Sequence, residues 1–339
     1  MLRWIMSVRN FLFDRNCILH TTAFNLPIIS VGNLAVGGTG KTPHTEYLLQ
    51  LLQRENLQVA VLSRGYGRRT KGFRPVEVNS IASDVGDEPL QIKQKFPEAI
   101  VAVCERRVLG VSKLLEGACQ GRVPQAVLLD DAYQHRYIKP GLSILLTDYH
   151  RPYYADKVMP WGRLRESASG SKRADVVLVT KCPKHLTPEE AQRIQSKLKV
   201  QPHQKVLFTT FAYATPRAFV MNKTVDALPK HLLVLTGIAK PEPLYKHYEQ
   251  QGKILSKLAF PDHHAFTASD IQRINRMAEA LPQDAAIITT EKDAVRIQHL
   301  EGLSPNVLNK LLVQPITIEV LFGQQESFNQ IILQYVRTN

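Results

Sequence analysis

The stretch that decides the fold runs from Pro27-Ile28-Ile29-Ser30-Val31 through Gly32-Asn33-Leu34-Ala35-Val36 into Gly37-Gly38-Thr39-Gly40-Lys41-Thr42. Pro27 to Val31 reads as a short buried strand, and Lys41 to Leu52 reads as a helix. Between them lies a glycine-rich turn that ends in Gly-Lys-Thr. A strand, a glycine loop and a helix in that order are the context a phosphate-binding loop requires. The glycines let backbone N–H groups turn inward around phosphate oxygens. Lys41 is placed to reach the β- and γ-phosphates, the Thr42 hydroxyl to ligate Mg²⁺, and the start of the helix adds a favourable dipole. The candidate nucleotide-binding residues are therefore Val36, Gly37, Gly38, Thr39, Gly40, Lys41 and Thr42. One position departs from the usual pattern: Ala35 stands where a glycine is expected.

A phosphate loop needs a second acid for its metal. Ala126 to Leu129 is an apolar strand that runs into Asp130-Asp131, which matches the metal-binding strand of such proteins and makes both aspartates candidate metal ligands. Further strands are expected at Val59–Ser63, Ala99–Cys104, Ser143–Thr147 and Asp175–Thr180. Short apolar strands alternating with helical stretches indicate an α/β fold: a P-loop NTPase-like, mostly parallel sheet with helices on both faces. The pattern changes near Thr209 to Lys223. Strands at 232–235, 254–260, 286–289 and 316–320, with a helix near 269–280, predict a second, smaller α/β domain beginning near Asn222.

The 339 residues correspond to roughly two domains at about 150 residues each. With 44% apolar and 22% charged residues, the chain has the composition of a globular protein and not of a disordered one. No apolar run is long enough to span a membrane. Arg3 and Arg9 interrupt the first dozen residues and spoil a signal-peptide core. The four cysteines form no CxxC pair, which argues against a zinc cluster or disulfide scaffold and fits a reducing cytoplasm. A net charge of +13 suits nucleic acid, anionic lipid or phosphorylated substrates. The basic residues are dispersed and lack the basic-aromatic repeats of a nucleic-acid binder, so no nucleic-acid partner is expected. Met1 to Phe13 forms an amphipathic helix with Met1, Trp4, Ile5, Val8, Phe11 and Leu12 on one arc. Such a face suits either a membrane interface or the protein's own core.

Thr180-Lys181-Cys182-Pro183 follows a strand where a GTPase would carry its guanine-reading [NT]KxD motif. Pro183 replaces the aspartate, so adenine or a loosely read base is favoured. An acceptor's proton needs a base. Asp87, in Asp84-Val85-Gly86-Asp87-Glu88-Pro89, is either that base or a helix cap. Asp262-His263-His264 offers a similar choice between proton transfer and a structural role.

Together these motifs resemble the tetraacyldisaccharide 4'-kinases, the lipid A 4'-kinases. The resemblance is carried by Val31 to Leu34, Val36 to Pro43, Leu62-Ser63-Arg64-Gly65-Tyr66-Gly67-Arg68, Gly86 to Pro89, Asp130-Asp131-Ala132-Tyr133-Gln134-His135 and Leu164-Arg165-Glu166. In the second half it is carried by Gly237-Ile238, Phe260 to His264 and Thr290-Glu291-Lys292-Asp293. Ala132-Tyr133 stands where the family usually has Gly-Phe. The resemblance implies transfer of the ATP γ-phosphoryl, with Mg²⁺, to the 4'-hydroxyl of a tetraacylated glucosamine disaccharide 1-phosphate. It further implies Asp87 as base with His263 as its partner, Lys41 as a catalytic cation, and Arg64, Tyr66, Arg68, His135 and Glu166 on the substrate side. A lipid A precursor and an anionic membrane surface are the implied partners, with no obligate protein partner. The implied location is peripheral, on the cytoplasmic face of the bacterial inner membrane. The expected organisation is an interfacial helix at 1–20, a P-loop kinase domain at 21–215, a smaller α/β domain closing over the active site at 222–325 and a C-terminal helix at 326–339. The alternative is a P-loop GTPase that delivers a cofactor or metal.

Overall fold

A computed structural model describes the chain apart from residues 1, 16, 17, 222, 263, 265 and 299 and the side chains of residues 2–5, 7 and 14. The chain divides into two compact units, the first formed by Met1–Ala212 with Thr317–Asn339 and the second by Tyr213–Ile316.

The first unit opens with helix α1 (Leu2–Arg15), strand β1 (Ile28–Asn33) and helix α2 (Lys41–Arg54). It continues through β2 (Val59–Ser63), the short β3 (Arg74–Pro75), α3 (Ala82–Val85), α4 (Asp87–Lys95), β4 (Ile100–Val103) and α5 (Arg107–Leu115). Then come β5 (Ala126–Asp130), β6 (Leu142–Asp148), β7 (Val176–Thr180), α6 (Pro188–Leu198) and β8 (Lys205–Tyr213). The strands β1, β2, β4, β5 and β7 are buried at every position, the pattern of a parallel sheet covered on both faces. β1 is central: it pairs in parallel with β5 on one side and β6 on the other. The register sets Val31 opposite Asp130, so the strand feeding the phosphate loop and the strand carrying the acid end side by side. On one face of the sheet, residues of β2, β4 and β5 pack with α5 over one half, and residues of β6, β7 and β8 pack with α6 over the other half.

The second unit carries β9 (Arg217–Ala218), β10 (His231–Thr236), α7 (Glu242–Gln250), β11 (Ile254–Ala259), α8 (Ala268–Glu279), β12 (Ala286–Thr290), α9 (Glu291–Ile297), α10 (Pro305–Lys310) and β13 (Leu311–Gln314). Its five strands run in the order β11-β10-β12-β13-β9, parallel except for β9. α8 starts with a full capping box between Thr267 and Asp270, and α9 starts at a Thr290 cap that accepts from the Asp293 N–H. Thr290 and Asp293 are thus capping residues here. Asp293 is buried and also accepts the Gly237 N–H at 2.9 Å.

After β13 the chain returns to the first unit through β14 (Ile316–Val320) and α11 (Gln325–Thr338), and β14 takes the edge beside β8 in a nine-stranded sheet. The sequence pattern alone groups 316–320 with the smaller domain and starts that domain near 222. The contacts group Tyr213–Ile316 together and 317–339 with the first unit. Periodicity reports that a strand exists and is silent about which sheet accepts it. α11 docks against α2: Phe328 is buried and stacks on Tyr47 at 5.8 Å, and Tyr47 Oη donates to Asn329 Oδ1 at 2.6 Å. Tyr335 Oη reaches the centre of the sheet, accepting from Ile28 N at 3.0 Å and donating to Ile28 O at 3.2 Å.

Candidate active site

The phosphate loop lies between β1 and α2 at the carboxyl end of the parallel strands, where ligands of α/β sheets bind. Gly40 caps α2 from the left-handed region at φ 90°, and a Cβ there would stand 2.7 Å from the Phe211 ring, so both backbone and space demand glycine. The loop is tied to the chain beyond β6 by Val36 N donating to Arg163 O at 2.7 Å. Lys41 Nζ stands 3.6 Å from Asp131, with only 11% of its side chain exposed.

The two aspartates at the end of β5 differ sharply. Asp130 is fully buried and accepts from the hydroxyls of Thr45 at 3.3 Å and Ser63 at 3.2 Å. Burial first, then the charges of Glu88 and Asp131, push its pKa far above the usual carboxylate range. No cation pairs with it among the described residues. A buried carboxylate oxygen in excess negative charge, bonded to Thr45 one helical turn after the buried Thr42, offers with the Thr42 hydroxyl the hard oxygen donors that Mg²⁺ takes while keeping water and phosphate oxygens. Those residues fit the ion. Asp131 is different: it accepts from Arg165 Nη1 at 3.0 Å as well as facing Lys41. These cations hold its pKa low although burial opposes them. Asp131 thus faces the two cations Lys41 and Arg165.

Asp87 is the first residue of α4 and half-buried, with Glu88 in the same helical turn. The Glu88 charge reaches Asp130, so this turn lies near the end of β5. Gly86 (φ 93°) and Gly65 (φ 71°) let the turns 64–68 and 85–87 pack backbone to backbone: a Cβ on Gly65 would meet Val85 O at 2.8 Å, and one on Gly86 would meet Tyr66 O at 3.1 Å. The expected substrate-side loop and the expected base are therefore neighbours. His263, its expected partner, lies outside the described residues.

The remaining candidates separate into two groups. Arg64 and Tyr66 are exposed, Tyr66 at 79%. His135 is half-buried; burial and the charges of Arg107, Arg64 and Arg9 depress its pKa to about 4, so the ring is neutral. Its Nε2 accepts from the Arg107 N–H at 3.3 Å. Arg68 and Glu166 are instead turned inward. Arg68 pairs with Glu105 at 2.5 Å and donates to Gly72 O at 2.7 Å, with 4% of its side chain exposed. Glu166 is fully buried and accepts from Asn10 at 2.9 Å, Gln134 at 3.1 Å and Arg173 at 2.8 Å. These bonds tie Arg68 to the 64–72 loop and Glu105, and Glu166 to α1 and Gln134. The structure also brings in residues that the motifs did not single out. Arg107 is fully buried and donates to Cys104 O at 2.7 Å and Asp130 O at 3.2 Å, fixing the end of β5. The Arg106-Arg107 pair carries no pattern by which sequence could have singled it out.

α1 resolves into two faces. Arg9 donates to Gln134 O at 3.2 Å, Arg136 donates to Asn10 O at 2.9 Å, and Phe13 is buried edge-on against Tyr137. Val8 and Phe11 point outward at 54% and 56% exposure. The side chains of Trp4 and Ile5 lie outside the described residues. No described helix is long and apolar enough to cross a membrane.

A sequence family described as tetraacyldisaccharide-1-P 4'-kinase matches residues 1–337. The chain belongs to this kinase family. Among curated relatives, the tetraacyldisaccharide 4'-kinase of Bacteroides thetaiotaomicron is 44% identical, covering 99% of this chain and 90% of the relative. That of Bacteroides fragilis is 46% identical over 98% and 90%. That of Flavobacterium johnsoniae is 43% identical over 99% and 94%. The crystal structure of the kinase family member LpxK from Aquifex aeolicus, in complex with ATP, matches with a TM-score of 0.75 at 24% identity, covering 99% of this chain and 96% of that one. At that identity the likeness establishes the shared fold. Membership in the kinase family also decides against the GTPase alternative.

Proposed function

We propose that this member of the family transfers the γ-phosphoryl group of ATP to the 4'-hydroxyl of a tetraacylated glucosamine disaccharide 1-phosphate. The observation that carries the reading is the pairing of β1 with β5, which sets the phosphate loop and Lys41 beside Asp130 and Asp131 in a chain of this family. Phosphoryl transfer is mostly positioning and charge stabilisation, and each part has a candidate here. The loop amides of residues 37–42 bind the phosphates, and Lys41, steered by Asp131, meets the charge that develops on the transferred group. Thr42 and Asp130 would hold Mg²⁺, which when bound neutralises phosphate oxygens. Asp87 takes the proton of the sugar hydroxyl, and His263 assists it. Arg64, Tyr66 and His135 lie on the acceptor side.

The acceptor carries acyl chains, and the exposed Val8 and Phe11 of α1, with the chain's net positive charge, support peripheral binding to an anionic membrane surface. The cytoplasmic face of the inner membrane is the location this implies. The test is product analysis after incubation with ATP, Mg²⁺ and the disaccharide precursor. A new phosphate monoester at the 4'-position, absent from the Lys41→Ala protein, is expected. ATP turnover that is indifferent to the acceptor and yields no phosphorylated lipid would refute the reading.

A further inference from the structure

A loop that wraps phosphate with its N–H groups must turn its carbonyls outward, and each of those needs a donor. Here three successive carbonyls find one. Lys181 Nζ donates to Gly38 O. Thr180 Oγ1 donates to Thr39 O at 2.8 Å. His44 bonds Gly40 O twice, through its backbone N–H at 3.3 Å as the first bond of α2 and through Nδ1 at 2.7 Å. The Thr39 hydroxyl is itself held by Asn33 Nδ2 at 2.8 Å. The donors come from the end of β7, the first turn of α2 and the end of β1, so the loop is braced from three directions.

Each brace is itself braced. Lys181 sits at φ 60°, in the left-handed region that side-chain-bearing residues rarely enter, and its ammonium group is shared with Asp148 at the end of β6, 2.8 Å away. Burial opposes the Asp148 charge, yet the Lys181 hydrogen bond keeps its pKa low. Thr180 is fully buried. His44 must carry its proton on Nδ1 to donate to a carbonyl, which leaves Nε2 to accept from Thr209 Oγ1 on β8 at 3.0 Å. Thr180 and Lys181 occupy the first two positions of an [NT]KxD-like pattern whose aspartate position holds Pro183. They are turned to the phosphate loop.

We propose that Thr180, Lys181 and His44 are positioning residues that preset the phosphate loop for its nucleotide by taking the outward carbonyls of Gly38, Thr39 and Gly40. The inference rests on the kinase reading above, since it assigns the loop a nucleotide. A preset loop spares the nucleotide the cost of ordering it, so losing a brace weakens nucleotide binding and leaves the acceptor untouched.

The test uses the full chain with Thr180→Val, which removes only the hydroxyl, Lys181→Met, which keeps the stem, and Lys181→Arg as the conservative variant. ATP with Mg²⁺ is titrated calorimetrically, KM is measured separately for ATP and the lipid acceptor, and Tm is recorded. Expected are about tenfold weaker ATP binding for Thr180→Val and Lys181→Met, the scale of one lost hydrogen bond, with KM for the acceptor unchanged and partial recovery in Lys181→Arg. Two separate variants guard against one failing to fold. If wild type binds ATP and both variants bind it equally well, the bracing role is overturned even where Tm falls, because only a structural contribution remains. If wild type itself does not bind ATP, the kinase reading fails and the proposal falls with it.

Discussion

Gly32→Ala isolates the geometry on which the site depends. Gly32 lies on β1, directly after Val31, which pairs with Asp130 of β5, and has no unusual backbone conformation that would penalise alanine. Its neighbour is the turn that follows Asp130-Asp131. An added Cβ would stand 2.7 Å from Tyr133 Cβ and 3.0 Å from Tyr133 N. Ordinary contact begins at 3.4 Å, so the turn and the strand must part by about 0.7 Å. Neither contacting atom is a flexible side-chain end, and Tyr133 is anchored by its hydroxyl donating to Gly170 O at 2.7 Å. The displacement is therefore carried by backbone, between the phosphate-loop strand and the acids. Overpacking of this kind costs about 1–3 kcal/mol, a Tm loss of several degrees for a unit of this size. A misplacement approaching 1 Å is worth about a hundredfold in rate. Steady-state phosphorylation of the lipid acceptor, measured well below the variant's Tm, should show kcat reduced by one to two orders of magnitude in a folded protein. Wild-type kcat together with wild-type Tm would refute the reasoning, since it would mean that β1 and the β5 turn are not in the close contact described.

Three further outcomes are expected. Asp130→Asn should abolish turnover yet stabilise the free protein: the buried carboxyl keeps its proton to a higher pH than in the unfolded chain, so wild-type stability falls as pH rises above the ordinary aspartate range, and the Tm advantage of the variant should grow from pH 4 toward neutrality. A constant Tm difference across that range would count against the burial argument. Val8→Asp with Phe11→Asp should reduce sedimentation with anionic vesicles while leaving the rate on detergent-dispersed acceptor near wild type, because Arg9, Asn10 and Phe13 keep α1 docked; unchanged sedimentation would remove α1 as the anchor. Tyr335→Phe should lower stability by about 1 kcal/mol, seen as a fall of a few degrees in Tm, because the hydroxyl bonds both polar groups of Ile28 at the centre of the sheet, and an unaltered Tm would show that α11 contributes nothing through this contact.

The sequence by itself determined the elements and the chemistry that is local. Strand, glycine loop and helix over 28–54 are encoded by burial pattern, by glycines that permit left-handed backbone and by a Gly-Lys-Thr run, all within a few residues of one another. The Asp130-Asp131 pair was legible for the same reason, as was kinase family membership, carried by blocks such as Arg64 to Arg68 and Gly86 to Pro89. Only the tertiary structure decided how residues far apart in the chain divide the work. A pair of adjacent aspartates reads alike in sequence. In the fold one is buried among hydroxyls and acids, and its neighbour faces Lys41 and Arg165. Arg64 and Arg68 sit in one motif, yet one faces solvent while the other closes on Glu105. β14 carries the alternation of any short strand, and its place at the edge beside β8 follows from which sheet edge was left to cover. Thr180 and Lys181 likewise acquire their partners on the phosphate loop only because β7 and β1 lie two strands apart in one parallel sheet. Propensity and periodicity act over one or two turns of chain, whereas burial, desolvation and pairing depend on what the fold sets opposite each side chain.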